Sequence, residues 1–172
     1  MRKSKAAVGT SLFYALAPGV VAGLVPWLLT DWEVRGVDNW SSLRLPGLFL
    51  IAAGAGALVG AFVRFVVEGL GTPAPVAPTE HLVIGGLYRY VRNPMYLAVI
   101  ATILGQAMLL SQPVLVLWAA LVTAAVASFV LLYEEPTLSR RYGAEYDEYR
   151  EAVPRWLPRS RPWTKKEDPA RR

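Results

Sequence analysis

Two short stretches hold most of the residues able to do chemistry. The first, GGLYRYVRNPMY, sets Tyr88, Arg89, Arg92, Asn93 and Tyr96 around Pro94, directly ahead of a long apolar run. The second, LLYEEPTL, places Glu134 and Glu135 just after another apolar run. Pro94 suits the first turn of a helix, where its missing N–H costs nothing. The helix it opens presents unpaired amides and the positive end of its dipole beside Arg92 and Asn93, which together make an anion site. The bland reading is that Arg89 and Arg92 reach lipid phosphates and Asn93 caps the helix. Two carboxylates at the end of a helix oppose its dipole and call for partners. Arg89, Arg92 and the Arg140–Arg141 pair are available, or Pro136 opens a new helix in which Glu135 sits favourably.

The elements that carry these groups are apolar. Of 172 residues, 54% are hydrophobic and 18% charged, and the mean hydropathy of +0.34 is high for a soluble domain. Four segments, Ser11 to Thr30, Leu45 to Leu70, Pro94 to Gln112 and Pro113 to Tyr133, approach the ~20 residues that a helix needs to cross a bilayer. The expected fold is all-α: a polytopic membrane protein of about four transmembrane helices. Spans three and four form a tight hairpin turning at Ser111 to Pro113, which brings Arg92 and Asn93 to the same end as Glu134 and Glu135. A ligand for that set bears an anion, hydroxyls or an ammonium, and a cation that the faces of Tyr88 and Tyr96 tolerate. S-adenosylmethionine and a zwitterionic phospholipid headgroup both answer the description.

Charge placement orients the spans. Arg2, Lys3 and Lys5 precede the first, Arg89 and Arg92 lie between the second and third, and ten of eighteen Lys and Arg follow the fourth. The positive-inside rule puts these regions and both termini in the cytoplasm. The segment DWEVRGVDNWSSLR, with Asp31, Glu33 and Asp38, is then the outer loop, and Trp27, Trp32 and Trp40 suit the headgroup layer. The net charge of +5 is accounted for by topology and anionic lipid, so no nucleic-acid partner is expected. With no cysteine and one histidine, His81, thiol chemistry, disulfides and multi-histidine metal sites are excluded. The first span is too long for the apolar core of a cleaved signal and is expected to remain as an anchor.

Between spans two and three, GLGTPAPVAPTEHL is too rich in proline and glycine for regular helix. After span four, Leu138, Tyr142, Tyr146, Tyr149 and Val153 recur at helical spacing, one face of an amphipathic helix. Residues 161–172 read as a basic, disordered tail behind a single membrane domain spanning 1–160. In GAGALVG, Gly54, Gly56 and Gly60 lack the strand that a dinucleotide fingerprint needs; close helix packing through Gly56 and Gly60 is the better reading.

HLVIGGLYRYVRNPMY, followed after one helical hairpin by YEEPTLSRRYGAEYDEYREAVPRWLP, resembles the integral-membrane methyltransferases related to isoprenylcysteine carboxyl methyltransferase and phosphatidylethanolamine N-methyltransferase, over roughly residues 70 to 160. The carboxyl-methylating pattern shows in HLV, GLY, R-x-P-x-Y and YG-x-x-Y-x-x-Y-x-x-x-VP; the phospholipid pattern shows in NPMY and LLYEEP. Asn93 stands where the carboxyl methyltransferases typically carry histidine, so a contact through that imidazole does not transfer.

The resemblance implies an S-adenosylmethionine pocket on the cytoplasmic side. His81, Leu82, Val83, Gly86 and Tyr88 would line its adenine and ribose end, Arg92, Asn93, Pro94 and Tyr96 its methionine end. Glu134 and Glu135 would hold ribose hydroxyls or the amino group. Gly54 and Gly56 match a G-x-G that the phospholipid methyltransferases link to the cofactor. Tyr88, Arg92, Tyr96 and Glu135 are the expected catalytic residues, and no metal is expected. The implied reaction moves a methyl group to a lipid or other hydrophobic acceptor, a phospholipid amine or a carboxylate. The acceptor would enter sideways from the bilayer while the segment Leu138 to Val153 lies on the membrane surface and closes the pocket. Two other readings are compatible with the residues: a non-catalytic membrane scaffold or lipid-binding subunit, and an NADPH-dependent membrane reductase. Oligomeric state is not legible.

Overall fold

The computed structural model describes residues 17–36, 42–69 and 82–164. His81, Asp38, Trp40, the start of the first span, the proline-rich loop and the last eight residues lie outside them. The described residues form helices and no strand. They are α1 (Ala17–Thr30), α2 (Arg44–Gly69), α3 (Pro94–Leu110), α4 (Pro113–Tyr142) and α5 (Ala144–Ala152), with a 3₁₀ turn over Gly86–Arg89. Two helices are long and apolar enough to cross a membrane: α2, over Arg44–Ala61, and α4. Helices α1 and α3 are apolar but shorter. Leu45 and Phe49 of α2 and Leu117 and Leu132 of α4 are each more than 70% exposed, a burden that suits lipid better than water.

Helices α2 and α3 pack antiparallel at backbone distance. A β-carbon at Gly47 would fall 2.8 Å from Gly105 O and one at Gly54 2.5 Å from Thr102 Oγ1, while Ala61 is fully buried one heptad further on. The contact stripe is thus Gly47, Gly54 and Ala61, facing Gly105 and Ala98, with small residues letting the backbones approach. Gly56 and Gly60 have nothing within 4 Å. Within this chain the expected packing through Gly56 and Gly60 is therefore corrected: among the described residues those two glycines lie on an open face, and the seven-residue spacing carries the α2–α3 interface.

The α3–α4 hairpin closes through Ser111, whose φ of 55° is left-handed, and Gln112, whose N–H reaches back to Ala107 O at 3.0 Å. This is a Schellman end followed at once by Pro113 in the first turn of α4. Arg35 N–H donates to Leu110 O and Gln112 Nε2 to Glu33 O, so the stretch after α1 lies over the hairpin turn.

Prolines explain the irregular turns. Pro26 and Pro136 each follow a five-residue π turn, Val20–Leu24 and Val130–Glu134, with one residue between. Widening the turn relieves the clash of the proline ring with the carbonyl one turn back, and it leaves carbonyls without amide donors. In α1 other helices supply them: Trp118 Nε1 donates to Val21 O at 2.9 Å and Gln106 Nε2 to Ala22 O at 2.6 Å. Inside a membrane such borrowed donors replace water. In α4 the π turn lets the helix run through Pro136 to Tyr142. The expectation that the two carboxylates stand at the end of a helix is corrected accordingly: the helix runs on past both.

Candidate functional site

The approach to α3 is built by the chain on both sides of it. Gly86 (φ +57°) starts the 3₁₀ turn in a conformation that disfavours a side chain, and a β-carbon there would fall 3.0 Å from Arg64 Cγ. The turn buries Tyr88 on Ala61 and Val83, with Met95 alongside. Asn93 is the residue ahead of α3, and its C=O accepts from Leu97 N–H at 3.2 Å. Its side chain does not cap the helix; Nδ2 is drawn away to Arg155 O at 3.2 Å. The start of α3 thus lacks the cap that asparagine usually gives and keeps its affinity for an anion.

Glu134 and Glu135 are neighbours with different tasks, because consecutive helical residues point ~100° apart. Glu134 accepts from the Tyr96 hydroxyl at 3.0 Å. Glu135, 8% exposed, accepts from Arg92 NH1 at 2.6 Å and from Arg155 at both oxygens, 2.6 and 2.7 Å. Arg92 also reaches the Tyr146 hydroxyl at 3.3 Å, and its buried Nε has no partner among the described residues. Of the expected partners for the carboxylates, Arg92 is used. Arg89 instead donates to Trp163 O, Arg140 to Thr137, and Arg141 stacks over Tyr142.

Residues 154–163 form a strap antiparallel to 89–93. Arg92 N–H donates to Pro154 O, Arg159 N–H to Tyr90 O and Trp163 N–H to Arg89 O, all near 3.0 Å. The tyrosine face is real but broken: Gly143, at φ 53°, ends α4 and starts α5. Tyr146, Tyr149 and Val153 are buried against Leu82, Ile84 and Trp163, so that face turns into the protein and not onto a membrane surface. Trp163, expected in the tail, rests 5.6 Å from the Tyr149 ring.

The Tyr149 hydroxyl donates to Tyr88 O at 2.7 Å in a buried setting. Burial raises its pKa well above the ordinary value, despite the nearby Arg92. A phenol harder to ionise when folded contributes stability that is intact below the unfolded tyrosine pKa of ~10 and is lost as pH rises toward the folded value. Thermal melts between pH 8 and 11 should therefore show an alkaline loss of stability that Tyr149→Phe reduces; an unchanged pH profile would contradict it.

A cavity of ≈570 Å³ lies between α1, α3 and α4. Its polar end is walled by Tyr88, Arg92, Asn93, Pro94, Tyr96 and Glu134. Its apolar end runs along one face of α4, Val126, Ala125, Val122, Leu121 and Trp118, with Val21 of α1 opposite. From Glu134 to Trp118 that wall is ~24 Å long at 1.5 Å per residue. Of the sequence-derived residues, six line the cavity. Glu135 sits behind Arg92, Val83 and Leu82 belong to the packing beneath the 3₁₀ turn and α5, Gly86 faces Arg64, and Gly54 is in the α2–α3 contact. Arg155 and Trp118 were not singled out by sequence reasoning, and Tyr146 only as part of the tyrosine face, not as a partner of Arg92. An arginine directly after the VP of the tail motif was the available signal for the first of them.

A family model for phospholipid methyltransferases matches residues 43–145. The chain belongs to the phospholipid methyltransferase family. No curated protein and no solved structure matches it. The matched span runs from the start of α2 to the start of α5 and contains both motif stretches. Membership in the phospholipid methyltransferase family makes the chain a membrane methyltransferase of lipid substrates, and methyltransferases of this family generally use S-adenosylmethionine.

Proposed function

We propose that the chain transfers a methyl group from S-adenosylmethionine to the amine of a phospholipid or similar amphiphile. The observation that carries this is one cavity with a charged end at the start of α3 and an apolar corridor along α4. The residues present suit the cofactor: Arg92 Nε is buried without a partner among the described residues, beside an uncapped helix start, where a carboxylate binds well. Bound there, S-adenosylmethionine supplies a methyl group on a sulfonium, a good leaving group.

The protein's share is placement and proton traffic. Arg92 and the α3 amides hold the carboxylate, Tyr88 and Pro94 bound the polar end, and Asn93 keeps the loop in register through the strap. The corridor of α4 takes the acceptor's apolar chain and excludes water. Fixing both reactants supplies ~7–11 kcal/mol of the barrier without a covalent residue. An amine acceptor must lose a proton, and Glu134, hydrogen-bonded by Tyr96, is the base within the cavity. Basic residues at both ends of the chain and between spans two and three support four spans with both termini and the polar end of the cavity cytoplasmic.

The test has two arms. Detergent-purified protein titrated with S-adenosylhomocysteine should show saturable heat. Protein in phosphatidylethanolamine vesicles with methyl-labelled S-adenosylmethionine should place label in the lipid. Glu134→Gln should bind S-adenosylhomocysteine yet lose ~100-fold in turnover. A folded wild type that binds nothing, or binds without labelling lipid, would refute the proposal.

A further inference from the structure

Glu135 poses an electrostatic problem for an anion site. A buried carboxylate 2.6 Å from Arg92 NH1 would, as the sole partner, cancel the guanidinium that a ligand carboxylate needs. A second guanidinium removes the conflict. Arg155 binds Glu135 in a fork, Nε to Oε1 at 2.6 Å and NH2 to Oε2 at 2.7 Å, the bidentate geometry that holds carboxylates most firmly. One carboxylate shared by two guanidiniums leaves that trio with one positive charge in excess, and of the three only Arg92 lines the cavity, where Glu134 stands beside it.

We propose that Arg155 is a positioning residue: by engaging both oxygens of Glu135 it leaves the charge of Arg92 to a ligand carboxylate. The inference rests on the cofactor reading and deepens it. Arg155 itself does not line the cavity, and its side chain is 32% exposed. The strap is held independently of this side chain through the backbone bonds of Pro154, Arg159 and Trp163 and through Asn93 to Arg155 O. Removing the guanidinium should therefore leave the fold in place and let Glu135 fall wholly to Arg92.

The test compares two ligands on the full chain. S-adenosylhomocysteine carries the amino-acid carboxylate; 5′-methylthioadenosine shares the adenosine and thioether and lacks it. Arg155→Met should weaken S-adenosylhomocysteine about tenfold and leave 5′-methylthioadenosine unchanged. Adding Glu135→Gln to Arg155→Met should restore most of the lost affinity, since the carboxylate that captures Arg92 is gone while its hydrogen-bond acceptor remains. Equal weakening of both ligands, no weakening, or no recovery in the double variant would overturn the proposal. A wild type that binds neither ligand would instead refute the cofactor reading, before any variant is made.

Discussion

Arg92→Met should all but abolish S-adenosylhomocysteine binding while leaving a folded protein. The loss is expected at about 2–5 kcal/mol, the range for truncating one partner of a buried charge-assisted contact, or roughly thirtyfold to several thousandfold in Kd. The fold should survive because Glu135 keeps both oxygens on Arg155 and the backbone of residue 92 still donates to Pro154 O. Lysine should not substitute, since a single ammonium cannot serve Glu135, Tyr146 and a ligand at once as the planar fork does. Calorimetry on the variant, with its thermal melt beside it, checks this. Wild-type affinity in a folded Arg92→Met protein would remove Arg92 from the binding site.

The largest structural effect should come from Gly54→Leu. Its first carbon alone would lie 2.5 Å from Thr102 Oγ1 and 2.8 Å from Ala98 O, and a backbone oxygen in a packed helix cannot step aside. The two helices must separate, at an expected cost of at least about 3 kcal/mol, and the start of α3 moves with them. Gly56→Leu, two residues away on a face with nothing within 4 Å, should be neutral or slightly stabilising, because leucine is the better helix former. Detergent-solubilised yields and melting temperatures of the pair read the difference. Equal behaviour would mean that α2 and α3 do not pack through Gly54.

What could be read without coordinates followed from local rules. Apolar runs announce helices, Pro94 and Pro113 announce their starts, and a two-residue connection forces the hairpin that pairs Arg92 with Glu135. The family resemblance held for the same reason: the motifs it rests on are contiguous. What escaped depended on long-range register. Nothing in EEP says that the helix continues through the proline, because that needs the widened turn before it. The choice of Gly47 and Gly54 over Gly56 and Gly60 depends on which face meets α3, and four-residue spacing pointed to the wrong one. Arg155 lies 20 residues from Glu135, and only the strap's path brings them together.

The π turn at Val130–Glu134 also acts as a phase shifter. Each residue advances a helix by ~100°, so a turn holding one surplus residue rotates everything beyond it relative to the apolar corridor. In an uninterrupted α-helix Tyr133 would fall in line with Val122 and Val126; with the surplus residue, Glu134 lines the cavity and Tyr133 is 44% exposed. The carboxylate's direction is therefore encoded in a residue count. Straightening that turn into regular α-helix at unchanged length would swap an acid for a phenol at the polar end of the cavity, whereas deleting one residue from it would straighten the helix and keep Glu134 in line.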